Sequence, residues 1–415
     1  MMRPVFAPRA ARLALAALLA GGVAACGDFV TVDNPNVVNE DGIDPVRDAD
    51  VLSRSAFQDF ATAVGDLVLH GGWLTTELWV GDSSEDRNQF GRREIVDANQ
   101  RLNTDLWQRF ARGLATSENV GELLGASDAA PRLSLARVRL AAGFSYLNMA
   151  EAFCQGVARG GPPLDRAQML ALAVERLTQA RDAAQLAGGA EGGQIATAAL
   201  VGLARTHLTA GRRAEAATAA DGVPANFEML LHNIDDAANR ARLGNKLWEA
   251  TVDRAAAVVP PVYRAMSDAG DPRIRYRDRG VNAYDGFLRF YSQEKFTSWA
   301  APYRLASGLE ARYLAVEARA NAGEMLAFVN ERRAAGNQTP LAGGTAEELL
   351  PALMDQKSRD FWLEGKRIGD WARNGAAVPN VIQSGSAYYK PASGPVRDGR
   401  CFPLPLAETS NNPNF

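Results

Sequence analysis

The 415-residue sequence is poor in the residue types that build metal and redox sites, with three histidines and three cysteines. His70, His207 and His232 lie far apart along the chain and show no paired spacing. Zinc and iron sites usually draw on closely spaced histidine or cysteine ligands. The sequence therefore predicts no zinc or iron site and no cofactor, and it leaves the presence of a calcium ion open.

Glycine-rich loops that bind phosphates are missing as well. No two glycines are separated by a single residue, which excludes a dinucleotide-binding Gly-x-Gly loop. The one Gly-Lys pair, Gly365-Lys366, is followed by an arginine, so a phosphate-binding loop is excluded too. A Gly-x-Ser-x-Gly nucleophile elbow is also missing. We therefore predict that the chain is not an enzyme, and we assign no catalytic residue.

Long hydrophobic runs are absent except for a short one near the N-terminus. Three arginines precede an apolar stretch from Leu13 to Val23, which is shorter than the about 20 residues that a membrane-spanning helix needs. Small residues then precede Cys26 in the pattern of a bacterial lipobox. We predict that residues 1–25 are a lipoprotein signal peptide and that Cys26 is the lipidated residue. A simple secretory cleavage beside an ordinary thiol is the alternative.

Positive charge is not in excess. The formal net charge is −3, and it becomes −6 once the three arginines of residues 1–25 are removed. A nucleic-acid-binding protein needs a basic face, so this balance disfavours nucleic acid as a partner. With 47% apolar and 22% charged residues, the composition is that of a globular protein with ample core. We expect residues 26–415 to form a single domain that is held to a membrane through its lipid anchor only.

The two other cysteines, Cys154 and Cys401, form an even pair in a chain that is predicted to leave the reducing cytosol. Such pairs commonly form disulfides in exported proteins. A disulfide between them is therefore expected. Two buried free cysteines are the alternative, because cysteine is among the most buried residue types.

Apolar residues recur at helical spacing over most of the chain. Leu203, Ala204, His207 and Gly211 fall at the offsets of a tetratricopeptide unit, in which a small residue packs between two helices and a glycine makes the turn. The sequence predicts a mostly α fold, with tetratricopeptide-like helix pairs and a loop-rich insertion at about 222–305. The predicted helices cover residues 48–80, 94–124, 131–154, 165–187, 194–210, 212–221, 308–335 and 345–373.

The C-terminal segment carries the most specific motif. Thr345 and Glu348 have the spacing of a helix-capping box. The segment after them resembles the C-terminal signature of the SusD/RagB family, with Gln356 and Lys357 in place of the more usual acidic-basic pair. The resemblance covers nearly the whole mature chain, loosely between 220 and 300. The matching signature positions are Arg359, Asp360, Phe361, Glu364, Gly365, Arg367, Asp370 and Arg373.

This resemblance implies both a fold and a function. The expected fold is a SusD-like helical scaffold. The expected function is that of an outer-membrane lipoprotein, facing the exterior, that binds an oligosaccharide or another nutrient and delivers it to a TonB-dependent SusC-like transporter. Two alternatives stay open. One is a glycoside hydrolase lipoprotein, with Asp82, Glu85 and Asp86 as its first candidate carboxylates, and the other is a helical-repeat scaffold of envelope assembly.

Aromatic residues are concentrated in one part of the insertion. Eight of the 28 residues from Tyr276 to Tyr303 are aromatic, whereas the chain average of 8% would give about two. Glycines and prolines break the helical periodicity there, and binding residues often lie on such loops. Because flat rings can stack on sugar rings at low entropic cost, we predict Tyr284, Tyr291 and Trp299 as ligand contacts. The rings expected in the loop core are Phe287, Phe290 and Phe296.

A second aromatic segment contains Trp73 and Trp79. The two residues are not spaced as neighbours on one helix face, so at most one can share a face with the core stripe. We predict both as candidate ligand contacts, one facing the ligand and the other more deeply packed. The family resemblance implies that an early loop and a mid-chain insertion form the sugar site together.

Overall fold

A computed structural model describes residues 43–415, so the predicted signal peptide and Cys26 lie outside the described residues. Residues Pro45–Phe415 form one compact unit. Two π-helical turns, Leu102–Trp107 and Glu249–Asp253, interrupt the α-helical pattern. The α-helices are α1 Ala49–Leu74, α2 Glu85–Arg92, α3 Gln108–Gly125, α4 Arg132–Ala152, α5 Arg166–Ala187, α6 Gly189–Thr209, α7 Arg213–Asp221, α8 Arg240–Leu243, α9 Lys246–Trp248, α10 Pro261–Asp268, α11 Gly308–Arg319, α12 Ala322–Ala335, α13 Ala346–Asp360, α14 Arg367–Asn374 and α15 Leu406–Asn411.

The helices pack mainly against their neighbours in the sequence. α3 packs on α4, α4 on α5, α5 on α6 and α6 on α7, and α11 then packs on α7. Glycines permit close approach here, because a Cβ at Gly143 of α4 or at Gly202 of α6 would lie less than 3 Å from the side chain of Leu177. These contacts confirm the predicted fold class, a mostly helical scaffold of successive helix pairs.

Local capping explains where several helices begin. Thr345 accepts a hydrogen bond from the Glu348 amide, and the Glu348 carboxylate accepts one from the Thr345 amide, which confirms the predicted capping box. Asp165 and Gln168 form a second box at the start of α5. Each box satisfies backbone N–H groups that have no partner within the helix.

Two predicted helices end earlier than the periodicity suggests. The helix predicted over 48–80 ends at Leu74, because Thr76 adopts a positive φ of 65°. The helix predicted over 308–335 is two helices, since Ala320 has a φ of 48° and Asn321 caps the next helix through the Glu324 amide. At both breaks a residue adopts the left-handed backbone conformation, which disfavours continuation of the helix.

The described residues contain three two-stranded antiparallel sheets, and most of their strands lie in the predicted insertion. The insertion is thus loop-rich but not without regular structure. β1 pairs with β3, β2 with β6, and β4 with β5. The strands are β1 Trp79–Val80, β2 Glu228–Leu231, β3 Ala257–Val258, β4 Tyr276–Asn282, β5 Arg289–Gln293 and β6 Tyr303–Ser307.

One large apolar core fills the helical scaffold, and a small satellite cluster lies under the β4–β5 hairpin. Trp362 and Tyr263 are fully buried in the main core, where their rings stack at 5.5 Å between centroids. The satellite cluster joins strand β3 to the hairpin, and Trp79 and Tyr389 pack against it. Its buried members are Val258, Ala283, Leu288 and Phe290.

Candidate functional site

The fold brings the two predicted aromatic segments together. Trp79 of β1 lies opposite Val258 of β3. In the turn between β4 and β5, the Tyr284 amide donates to the Ala255 carbonyl at 2.9 Å and the Asp285 amide donates to the Gly81 carbonyl at 2.9 Å. The tip of the hairpin is therefore fastened to the loop that follows Trp79.

Asp285 sets the shape of this turn. Its carboxylate accepts hydrogen bonds from the amides of Phe287 and Leu288, at 2.9 and 3.0 Å. The same carboxylate pairs with the Lys390 ammonium at 2.9 Å, and that ammonium also donates to the Asp82 carbonyl at 2.7 Å. Burial lowers the pKa of Lys390, and the Asp285 carboxylate opposes this effect. The turn is thus held from both sides by buried polar contacts.

Three large apolar side chains stand exposed on the hairpin. Val281, Tyr284 and Phe287 are 58%, 65% and 61% exposed, and we call them the aromatic tip. The expectation that Phe287 fills the loop core is wrong, because the turn around Asp285 directs its side chain to the solvent. Isolated exposed apolar residues are ordinary, but a group of three on a fixed turn is typical of a recognition surface.

A pair of tyrosines that the sequence analysis missed completes the site. The ring of Tyr389 stacks on that of Trp79 with 4.3 Å between centroids and 12° between planes. Its hydroxyl accepts a hydrogen bond from the Val80 amide and lies 2.8 Å from the Tyr388 hydroxyl. Tyr388, Tyr389 and Lys390 follow one another in a Gly-, Ser- and Pro-rich stretch, and this combination was the signal that could have revealed them.

The predicted contacts Trp79, Tyr284 and Tyr291 remain at or near the surface. Trp79 is half-buried, and its indole nitrogen has no hydrogen-bond partner among the described residues. Tyr291 is half-buried too, with the guanidinium of Arg264 3.8 Å from its ring centroid. Tyr284 is the most open of the three rings.

Trp73 and Trp299 lie in the interior instead. Trp73 is 2% exposed and packs against His70 and Phe90. Trp299 is 8% exposed and packs against Trp248, with 5.0 Å between ring centroids. Neither ring lies at the surface, so neither is exposed for stacking on a sugar, and Trp73 instead lines a polar cavity beside His70.

The structure shows no group of three histidine, cysteine, aspartate or glutamate side chains placed to hold a metal ion, within residues 43–415. The same part of the chain has no helix with the length and apolarity that crossing a membrane requires.

Solved structures similar to this chain cover most of its length. A SusD superfamily protein from Parabacteroides distasonis is 14% identical and covers 88% of this chain and 97% of its own, with a TM-score of 0.65. A SusD-like carbohydrate binding protein from Bacteroides vulgatus is 13% identical and covers 89% and 96%, with a TM-score of 0.67. A laminarin binding SusD-like protein is 13% identical and covers 89% and 99%, with a TM-score of 0.65.

The chain has the SusD fold. The predicted resemblance is thus confirmed at the level of the fold. No protein-family model and no curated protein matches the sequence.

The acidic residues of the C-terminal signature are buried in ion pairs of this SusD fold. Each accepts hydrogen bonds from two cationic side chains within 3.1 Å. These residues therefore belong to the buried charge network of the scaffold. The pairs are Asp360 with Arg332 and Arg273, Glu364 with Arg304 and Lys295, and Asp370 with Lys357 and Arg373.

A disulfide between Cys154 and Cys401 is present, with 2.06 Å between the sulfur atoms. It links the end of α4 to the chain that follows Tyr388 and Tyr389. Backbone hydrogen bonds beside it run from the Cys154 amide to the Phe402 carbonyl and from the Phe402 amide to the Ala152 carbonyl, at 2.9 and 2.8 Å. The bridge thus fixes the C-terminal segment of the SusD fold to the helical scaffold.

Proposed function

We propose that this chain is a SusD-family lipoprotein that binds an oligosaccharide outside the cell and delivers it to a TonB-dependent SusC-like transporter of the outer membrane. Lipidation at Cys26 would hold it to that membrane, facing the exterior. The SusD fold supports the proposal, as do the lipobox-like sequence before Cys26 and the names of similar structures, which include a laminarin binding protein and a carbohydrate binding protein.

The aromatic tip is the observation that carries the proposal. Its rings can cover the C–H face of a sugar ring, while nearby polar groups meet the hydroxyls. The exposed pair of Asp278 and Arg289, with 2.9 Å between Oδ1 and Nε, lies on the same hairpin and can exchange hydrogen bonds with a ligand. Because the turn is held by Asp285 and Lys390, little conformational entropy is lost when a ligand binds.

Two of the carboxylates near Trp79, Asp82 and Glu85, lack the properties of a glycoside hydrolase acid. A hydrolase needs a carboxylic acid whose pKa is raised, so that it can protonate the leaving group. Glu85 shows the opposite, because its hydrogen bond with Arg92 lowers its pKa. Asp82 forms a buried ion pair with Arg87. We infer that Asp82 and Glu85 have structural roles, and we propose that the chain binds its ligand without covalent chemistry.

The proposal is tested by calorimetric titration of the purified protein with a panel of oligosaccharides that includes laminarin fragments. We expect one glycan class to bind, and the double variant Tyr284→Ala and Phe287→Ala to lose about tenfold or more in affinity, as expected when dominant aromatic contacts are removed. Its thermal unfolding should stay close to wild type, because both side chains are exposed.

Phe415→Ala is the matched control, since Phe415 is also an exposed aromatic residue, 49% accessible, and lies outside the hairpin. It should bind like wild type. Undiminished binding by the double variant would contradict the assignment of the site. New reducing ends in the incubated glycans would favour the hydrolase, and absence of binding to every glycan would favour an envelope scaffold.

A further inference from the structure

A polar cavity of about 130 Å³ adjoins the aromatic tip but is separate from it. On the side of the tip, the Ala255 carbonyl accepts a hydrogen bond from the Tyr284 amide. On the other side, the neighbouring residues Arg254 and Ala256 line the cavity. No residue of the aromatic tip lines it. The two sites therefore share one stretch of backbone and no side chain of the tip.

The lining of the cavity runs from exposed to buried groups. The side chains of Arg101 and Arg254 are 40% and 45% exposed. His70 and Trp73, which also line it, are each 2% exposed. The two arginines therefore form the exposed end of the lining, and the histidine forms its buried end.

The backbone around the cavity is irregular at three places. Both π-helical turns in the described residues line it, one through Asp105 and the other through Glu249. Ala255, two residues after the end of the second turn, has a φ of 50°. π-helical turns and left-handed non-glycine residues are concentrated at functional sites, where the backbone is adjusted to place side chains.

Cationic groups outnumber carboxylates in the lining. Arg87 also lines the cavity, but it is paired with Asp82. Among the other lining residues, four cations share three carboxylates, which leaves the lining with one positive charge in excess. The pairs, with their N to O distances, are Asp66 with Arg109 at 2.8 Å, Asp105 with Arg101 at 3.2 Å, and Glu249 with Lys246 at 3.0 Å and Arg254 at 3.7 Å.

His70 supplies an acceptor at the buried end. Its Nδ1 lies 2.7 Å from the Asp66 carbonyl oxygen, which can only accept, so Nδ1 carries the proton and Nε2 is left with a lone pair. Nε2 has no hydrogen-bond partner among residues 43–415. Burial lowers the pKa of His70 to about 4, so the ring is neutral at physiological pH. Nε2 is not among the fully enclosed atoms without a partner, so an acceptor at this end of the cavity is open to a ligand that donates a hydrogen bond.

We propose that this cavity binds a small hydroxycarboxylate, with its carboxylate among the arginines and a hydroxyl donating to Nε2 of His70. Charge complementarity supports the carboxylate, because it would balance the excess cation and accept the N–H groups that Arg101 and Arg109 leave unused. A plain sugar would leave that charge unbalanced, and a simple fatty acid would leave His70 unpaired.

The volume restricts the size of the ligand. A cavity of about 150 Å³ holds one benzene ring, so this cavity accommodates a molecule of three or four carbons and not an oligosaccharide. Glycerate, with three carbons, a carboxylate and two hydroxyls, is a suitable probe. Propionate lacks the hydroxyls and glycerol lacks the carboxylate, and both have the same number of carbons.

The test is calorimetric titration of the whole mature chain with these three compounds. We expect glycerate to bind about tenfold or more tightly than either propionate or glycerol, because each of these lacks one of the two paired groups. Arg254→Gln should weaken glycerate binding by a similar factor. The matched control is Arg312→Gln, since Arg312 is 44% exposed, pairs with Glu331 and lies on α11.

His70→Phe tests the acceptor itself, because phenylalanine can keep the ring contacts with Trp73 and Phe90 but has no Nε2. It should reduce glycerate affinity to that of propionate and leave propionate binding unchanged. Tyr284→Ala should leave glycerate binding intact, which separates this site from the proposed glycan site. Glycerate that binds no better than propionate, or equally well to wild type and Arg254→Gln, would overturn the proposal.

Discussion

Trp299 shows how a ring suited to sugar binding serves the interior instead. It packs against Trp248, and the guanidinium of Arg240 lies 5.5 Å from its ring centroid. Gly244 makes room for it, because a Cβ there would lie 2.5 Å from the indole. We expect Trp299→Ala to lower the free energy of unfolding by about 3–5 kcal/mol through loss of buried area and cavity formation.

Urea unfolding and glycan titration of the same variant separate the two roles of Trp299. The stability should fall while the affinity of the folded fraction stays close to wild type. Tyr284→Ala is the converse case, with retained stability and reduced affinity. If Trp299→Ala instead lost affinity at full stability, the indole would have to reach the ligand in a conformation other than this one.

The exposure of individual rings could be predicted only in part. Phe290 and Phe296 are buried as expected, while Phe287 is exposed and Trp299 is not. Residue type gives the chemistry of a ring but not its direction in an irregular loop. That direction depends here on the turn that Asp285 stabilises through the Phe287 and Leu288 amides, and the sequence pattern does not specify such a turn uniquely.

At the scale of elements, the signature residues on α13 and α14 contribute buried carboxylates that pair with cationic side chains. Asp360 accepts from Arg332 at 2.7 and 2.8 Å, from Arg273 at 3.1 Å and from the Tyr313 hydroxyl at 2.5 Å. Asp360→Asn keeps the shape but leaves two half-buried arginines without their shared counter-charge. We expect it to cost about 3–5 kcal/mol of stability, as measured by urea unfolding.

Glu331→Gln is the control for Asp360→Asn. Glu331 pairs with Arg312 and lies 3.8 Å from Arg332, but it is 46% exposed, so its loss should cost at most about 1 kcal/mol. Equal costs for the two variants would mean that the buried network contributes no more than a surface pair.

Helices were predictable because their apolar period and their caps are local. The capping box of Thr345 and the boundaries of α4, α5 and α7 agree closely with the pattern. The strands were not predictable in the same way. β1 and β3 have two residues each, which is too short for an alternating pattern to be recognised.

At the scale of the whole molecule, the candidate site depends on contacts between distant parts of the chain. Val80 and the Tyr389 hydroxyl that accepts its amide are 309 residues apart in the sequence. The disulfide spans 247 residues and fixes the segment that follows Tyr389. A single sequence shows the residue types at both ends but not their pairing, so the residues Tyr388 to Lys390 could have been found as candidates but their contacts with Val80 and Asp285 could not be predicted.

The proposed membrane attachment also concerns the whole molecule, and it depends on one atom, the sulfur of Cys26. Each buried acyl carbon contributes about 0.8 kcal/mol, so two or three acyl chains would hold the protein to a membrane almost irreversibly. Because alanine has no thiol to acylate, we expect Cys26→Ala to move the protein from the membrane fraction to the soluble fraction of cells that lack a partner transporter.

Gly27→Ala is the matched control, since it alters the neighbouring residue and keeps the thiol. Fractionation followed by mass spectrometry of the N-terminal peptide gives the distribution and the modification together. Cys26→Ala that stays with membranes in such cells would contradict the lipoprotein assignment, whereas its release there, with partial retention once a SusC-like barrel is co-expressed, would support both the anchor and the proposed partner.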